Sequence, residues 1–211
     1  MKIPSIYLEK FFYARRRLVE IMLSGKTPDE MEVEIIKASH LLSPMVATCG
    51  PAGPNVAPLM VTFLPREQYV GEAIEELRRI RSKYWGSGPK AYRAAAEFLL
   101  EYVYNLERAD PLRLATHLMS KGHTYTNIEA TGEATLGILF PPDEGALELR
   151  AKASIISQGP VYEYVNMVHD LMHAVPHGES SHPWYPAAVF EVYEIYDNSY
   201  QALGKLVYRR G

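Results

Sequence analysis

The sequence predicts an α+β fold, an antiparallel sheet or small barrel of about six strands with N-terminal helices and a helical insertion. Three observations carry that expectation. β-Branched and aromatic runs recur with short glycine- and proline-rich turns between them, which suits antiparallel pairing because parallel strands need long crossovers. Apolar residues recur at helical spacing near the N-terminus and again over residues 69–108. No internal repeat or low-complexity linker divides the 211 residues, a length at which one domain buries a sizeable core.

In chain order, Ile6, Phe11, Leu18, Ile21 and Met22 mark one face of a helix that stops at Ser24-Gly25, with glycine as its C-cap. Thr27-Pro28-Asp29-Glu30 then offers an N-cap hydroxyl, a proline at the first helical position and a capping-box glutamate, so a second helix is expected to run to about His40. From Leu42, Ser-Pro-Met-Val-Ala-Thr-Cys and Asn-Val-Ala-Pro-Leu-Met-Val-Thr-Phe-Leu flank Gly-Pro-Ala-Gly-Pro, a β-hairpin signal.

Val70, Ala73, Ile74, Leu77 and Ile80 fall on one helix face. After Gly86-Ser87-Gly88-Pro89, so do Tyr92, Ala95, Leu99, Val103 and Leu106. These two helices are expected as an insertion at about 66–110 within a single domain, 1–211.

The β texture returns at Pro111 with Leu-Arg-Leu-Ala-Thr-His-Leu-Met, Glu-Ala-Thr-Leu-Gly-Ile-Leu-Phe and, after a Pro-Pro-Asp-Glu-Gly turn, Ala-Leu-Glu-Leu-Arg-Ala-Lys-Ala-Ser-Ile-Ile. Gly159-Pro160 opens a helix with Val161, Tyr164, Val165, Val168, Leu171, Met172 and Val175 on one face, closed by Pro176. Ala-Val-Phe-Glu-Val-Tyr-Glu-Ile-Tyr-Asp fits either period, and its β-branched and aromatic content favours a strand.

With 22 basic and 25 acidic residues the net charge of −3 supplies no field to gather nucleic acid or an anionic membrane, and neither is expected as a partner. The single cysteine, Cys49, cannot form an intrachain disulfide and is read as a small buried hydrophobe. Charges break every apolar run near the N-terminus, so neither a signal peptide nor a membrane span is expected and the location is read as cytoplasmic. Gly-x-Ser-x-Gly, P-loop, Gly-x-Gly-x-x-Gly and Cys-x-x-Cys patterns are absent.

Two clusters carry chemistry. Ser120-Lys121-Gly122-His123-Thr124 places hydroxyls, a cation and an imidazole just before a β-like run. Such a loop stabilises a phosphate at a helix N-terminus, although the same residue types also serve turns and caps. His169 and His173, four apart, share a helix face, while His177 and His182 lie beyond Pro176. That spacing suits zinc or, with Met172, haem, but no HExxH pattern accompanies it; a helix edge or a dimer contact is the plainer reading, and no metal is assigned.

Val46-Ala47-Thr48, the turn, Asn55-Val56-Ala57-Pro58, and then Gly122-His123-Thr124-Tyr125-Thr126-Asn127-Ile128 with Thr131-Gly132-Glu133-Ala134 follow one another in an order similar to that of a known family. The chain resembles the FMN-binding split-barrel superfamily of pyridoxamine 5'-phosphate oxidase-like and flavin reductase-like proteins, most of all an uncharacterised archaeal flavin-reductase-like group. The resemblance spans residues 42–64 and 111 to about 197.

It implies an antiparallel split β-barrel that binds FMN, with the ring or ribityl chain near Val46, Ala47, Thr48, Asn55, Val56 and Ala57. The phosphate would lie near Thr116, Ser120, Lys121, His123, Thr124 and Asn127. Tyr125, Tyr162 and Tyr164 would stack on a flavin or fill core and interface. The resemblance also implies a homodimer with the cofactor site at its interface, and flavin redox chemistry on a small-molecule substrate or electron donor. The alternative it leaves is a non-enzymatic binding module for FMN, haem or deazaflavin. The chain departs from the family's firm phosphate-loop Arg or Lys by placing His123 there, with Lys121 two residues earlier.

Overall fold

The computed structural model describes residues 2–24, 41–140, 145–180 and 183–211. The helix expected over 27–40, most of the Pro-Pro-Asp-Glu-Gly turn and His182 lie outside these residues.

Helix α1 runs as three consecutive pieces, Ser5–Tyr7, a π-helical turn Leu8–Phe12, and Tyr13–Leu23. Three short strands follow, β1 Met45–Thr48, β2 Asn55–Pro58 and β3 Thr62–Pro65. Next come α2 (Glu67–Tyr84) and α3 (Pro89–Phe98), the latter continuing into a π-helical turn Leu99–Val103. The remainder is β4 Ala109–His117, α4 His123–Thr131, β5 Glu133–Phe140, β6 Gly145–Ile156, α5 Pro160–His173, β7 Ala187–Asp197 and β8 Lys205–Arg209.

The expectation of about six strands is corrected to eight among the described residues, all paired antiparallel in the order β2-β1-β5-β6-β7-β4-β3, with β8 beside β7. The run Asn55 to Leu64 reads as one strand but is two. Pro58 has no N–H to continue the ladder, and beyond it the chain leaves β1 and joins β4 instead. β8 is a five-residue strand beside β7 that the pattern does not announce.

The sheet does not close, since β2 and β3 stand at opposite ends of the strand order. Only residues 59–61 join them, however, and four Cα steps span at most about 15 Å. The sheet therefore curls until its two margins lie near each other. Leu59 and Val61 donate their N–H groups to the carbonyls of Pro44 (3.2 Å) and Leu42 (3.1 Å), tacking this link to the chain that leads into β1.

Under the curl lies an aromatic box. Tyr7, Phe11, Phe12 and Phe63 are fully buried and Tyr104 nearly so, with ring centroids 4.9–6.1 Å apart across the Phe63 and Tyr104 contacts. The π-helical turn helps to build it. Its i→i+5 bond, from Tyr13 N–H to Leu8 O, brings residues five apart onto one face, so Tyr7 and Phe12 point inward together. Arg15 sits within 5.2–5.6 Å of the Phe11, Phe63 and Tyr104 rings and donates from Nη2 to the Val61 carbonyl. The Tyr7 hydroxyl donates to Pro111 O, and burial pushes its pKa above the ordinary range.

α2 and α3 leave and rejoin the sheet between two strands that pair directly, Thr62 opposite Ala115 and Phe63 opposite Leu114. Their connector docks on the chain after α5: Gly86 and Gly88 donate N–H groups to the carbonyls of Val175 (2.8 Å) and Pro176 (2.9 Å). The approach requires glycine. A Cβ on Gly178 would stand 3.0 Å from the Gly86 Cα, and both residues have φ near +70°. Among the described residues no helix is long and apolar enough to cross a membrane.

Candidate functional site

Helix α4 opens at the extended Gly122 and closes on Gly132 in the left-handed conformation. Its first intrahelical bond runs from Thr126 N–H to Gly122 O, so the N–H groups of His123, Thr124 and Tyr125 have no partner within the helix. They concentrate the positive end of the helix dipole at the β4–α4 loop.

The β1–β2 hairpin is fastened to this helix by one buried side chain. Asn127 donates from Nδ2 to Gly53 O (2.7 Å) and Thr48 Oγ1 (3.3 Å), and its Oδ1 accepts from Ala52 N–H (3.0 Å). Asn55 Nδ2 donates to Thr124 Oγ1 at 2.8 Å. At Gly50 even a methyl group would come within 2.9 Å of the Asn127 Oδ1, so the turn approaches α4 as closely as a backbone can.

This fastening leaves a cavity of about 650 Å³ between α4 and α5, within the usual range for small-molecule sites. Of the predicted residues, Asn55, Ala57, Thr116, Ser120, His123 and Thr124 line it. Apolar surface comes from Pro58, Leu59, Leu118, and the exposed Met60 and Met119. Among the described residues no aspartate or glutamate borders it.

The other predicted residues lie elsewhere. Lys121 is exposed on the loop, its Nζ 5.5 Å from the centre of the Tyr125 ring. Asn127 is fully buried behind the wall as the fastening just described. Val46 is in the core. Ala47, Thr48 and Val56 line a second hollow of about 820 Å³ on the outer side of the hairpin, and Asn55 borders both. In the outer hollow and at its edge, cations meet carboxylates: Arg150 with Glu148 (2.8 Å) and Glu194 (3.5 Å), Lys152 with Glu133 (2.5 Å). Cys49, expected buried, is exposed on this side, because it follows the last residue of β1, where the chain enters the turn. Tyr164 is core, Tyr125 is nearly buried against Glu129, and Tyr162 packs edge-on to Trp184.

The sequence reading missed one feature of the inner cavity. His117, at the end of β4, meets His169 of α5 with ring centroids 4.1 Å apart, and His169 meets His173 at 4.6 Å. His117, His169 and His173 all line the cavity. The i,i+4 spacing of the α5 pair was visible, but their meeting with His117 depends on which strand α5 covers. His177 is apart from them, its Nε2 3.0 Å from the Tyr92 hydroxyl. Among the described residues no group of three His, Cys, Asp or Glu side chains is arranged to hold a metal ion.

No family model and no curated protein matches this chain. Among solved structures it is similar to HupZ of Group A Streptococcus, with 16% identity over 88% of this chain and 100% of that one and a TM-score of 0.44. It is similar also to an FMN-binding protein from Syntrophomonas wolfei (12% identity, 89% and 95% covered, TM-score 0.43). A third is a pyridoxamine 5'-phosphate oxidase-related, FMN-binding protein from Nostoc punctiforme (9% identity, 82% and 84% covered, TM-score 0.41). These are distant likenesses, and they leave the site to be read from its own residues.

Proposed function

We propose that this protein binds FMN in the inner cavity and uses it for redox chemistry on a small molecule. The observation that carries the reading is the donor set. The cavity joins the open first turn of α4 and the Ser120 and Thr124 hydroxyls to an apolar strip along β2, with no carboxylate on its walls among the described residues. A phosphate dianion needs such donors and would be repelled by acidic neighbours.

In this reading Ser120 and Thr124 donate hydroxyl hydrogens to phosphate oxygens, while the α4 dipole, His123 and the nearby Lys121 favour the negative charge. Ala57 lets a flat ring approach β2, and Met60 and Met119 cover it with polarizable thioethers that exclude water. When bound, the flavin supplies hydride transfer at N5; the chain's residues bind, orient and shield it. We also propose a homodimer. Met45, Val56 and Leu139, between 42% and 59% exposed, lie on β1, β2 and β5 and give a second copy apolar surface to cover.

The test is purification followed by titration with FMN, read by flavin fluorescence quenching and thermal shift. Saturable binding that weakens in Ser120→Ala supports the proposal. A colourless protein with no thermal shift on adding FMN overturns it. NAD(P)H oxidation by the loaded protein tests the redox part, and light scattering tests the dimer.

A further inference from the structure

Arg15 reaches the core from α1 with only 3% of its surface exposed. Its Nη2 donates to the Val61 carbonyl, while Nε and Nη1 are buried and make no hydrogen bond among the described residues. We infer that Arg15 is a positioning residue for the inner cavity: its guanidinium fixes the link at residues 59–61, and with it the wall that Leu59 and Met60 contribute. The inference rests on the flavin reading only for what fills the cavity; the fixing of the link is a property of the chain itself.

An incompletely bonded cation is a poor way to hold a core together. Arginine keeps its charge inside proteins, and taking that charge out of water is costly. The rings of Phe11, Phe63 and Tyr104, at 5.2–5.6 Å from the guanidinium, offset part of that cost through their faces. A methionine would pack on the same rings without the charge. What methionine cannot supply is a donor for Val61 O.

That bond completes a set of three along the link. The Leu59 N–H is given to Pro44 O and the Val61 N–H to Leu42 O, and Arg15 holds the carbonyl of Val61. Three planar peptide groups are thereby fixed within three residues, which leaves the backbone around Leu59 and Met60 little freedom to turn. Both of these side chains border the cavity, whereas no described residue of α1 does. Arg15 therefore acts on the cavity through the link.

The experiment compares the full chain with Arg15→Met and Arg15→Lys by denaturant unfolding, amide hydrogen exchange and FMN titration. In Arg15→Met the unfolding midpoint should be no lower than in the parent, because removing the buried charge offsets the lost hydrogen bond. Exchange at the Leu59 and Val61 amides should nevertheless quicken at least tenfold while β5 and β6 stay unchanged, and FMN should bind at least fivefold more weakly. Arg15→Lys, which keeps a donor, should restore most of the protection at the link. An Arg15→Met chain that does not fold, or whose exchange quickens everywhere in step with a lower midpoint, makes Arg15 a purely structural residue and overturns the inference. Unchanged exchange at the link overturns it as well. If the parent binds no FMN while the link loosens selectively, only the flavin proposal falls; if both chains bind FMN equally, only this one falls.

Discussion

The aromatic box beneath the N-terminal helix and the cavity between α4 and α5 are built from opposite materials. The box is buried and ring-lined, and its guanidinium is enclosed by Phe11, Phe63 and Tyr104. The cavity is bordered by hydroxyls, imidazoles and exposed methionines. Yet the two meet at residues 59–61: Val61 gives its carbonyl to Arg15, while Leu59 and Met60 line the cavity. Buried ring packing is concentrated on one side of this short link and the polar lining of the cavity on the other.

That division can be broken by substitution. The largest effect is expected from Phe63→Ala, which empties the centre of the box and should cost about 3–5 kcal/mol in denaturant unfolding. If FMN affinity per folded molecule fell as steeply as stability, the two regions would be one unit. Asn127→Ala comes next, because it removes the partner of Gly53 O and Ala52 N–H together. A loss of about 2–3 kcal/mol is expected, with FMN binding lost alongside because the hairpin comes loose from α4. It marks the boundary where the separation ends.

Ser120→Ala should leave unfolding within about 0.5 kcal/mol of the parent and weaken FMN roughly tenfold, the cost of one charge-assisted hydrogen bond. Equal affinity in the two proteins would remove Ser120 from the site.

The smallest effect lies on the rim of the insertion. The Glu72 carboxyl is held below its usual range by hydrogen bonds first from Arg108 and then from Tyr102. A lowered native pKa means that its stabilising contribution is present above the unfolded value and fades as pH falls through the native one. Tyr102 moves the other way, pushed up to about 12 by burial and then by Glu72, so its contribution holds below its unfolded pKa and fades as pH rises through about 12. Glu72→Gln should flatten the acid limb of a stability–pH profile while leaving FMN titrations unchanged.

Much of the architecture was legible because local period and burial agree. Val70, Ala73, Ile74, Leu77 and Ile80 are all buried in α2, as their spacing requires. Phe12 was missed because the π-helical turn shifts the register by a residue, which a 3.6-residue period cannot reveal. β2 and β3 merged in the reading because Pro58-Leu59-Met60-Val61 keeps an apolar texture through the corner.

At the site, the nearness of the hairpin to the 120–127 segment was expected from the order of motifs. The division of the hairpin's residues between two hollows was not, because it depends on which face of a four-residue strand turns toward α4. His117 had no local signal, since nothing near it in the chain resembles His169 or His173.

The link at residues 59–61 also makes the two margins of the sheet mechanically inseparable. A belt fastened by so short a buckle cannot slacken at one end alone. Whatever fills the space beside Leu59 and Met60 pulls β2 and β3 in register, so amide exchange at the two margins should slow together on filling, although the strand order places them at opposite ends.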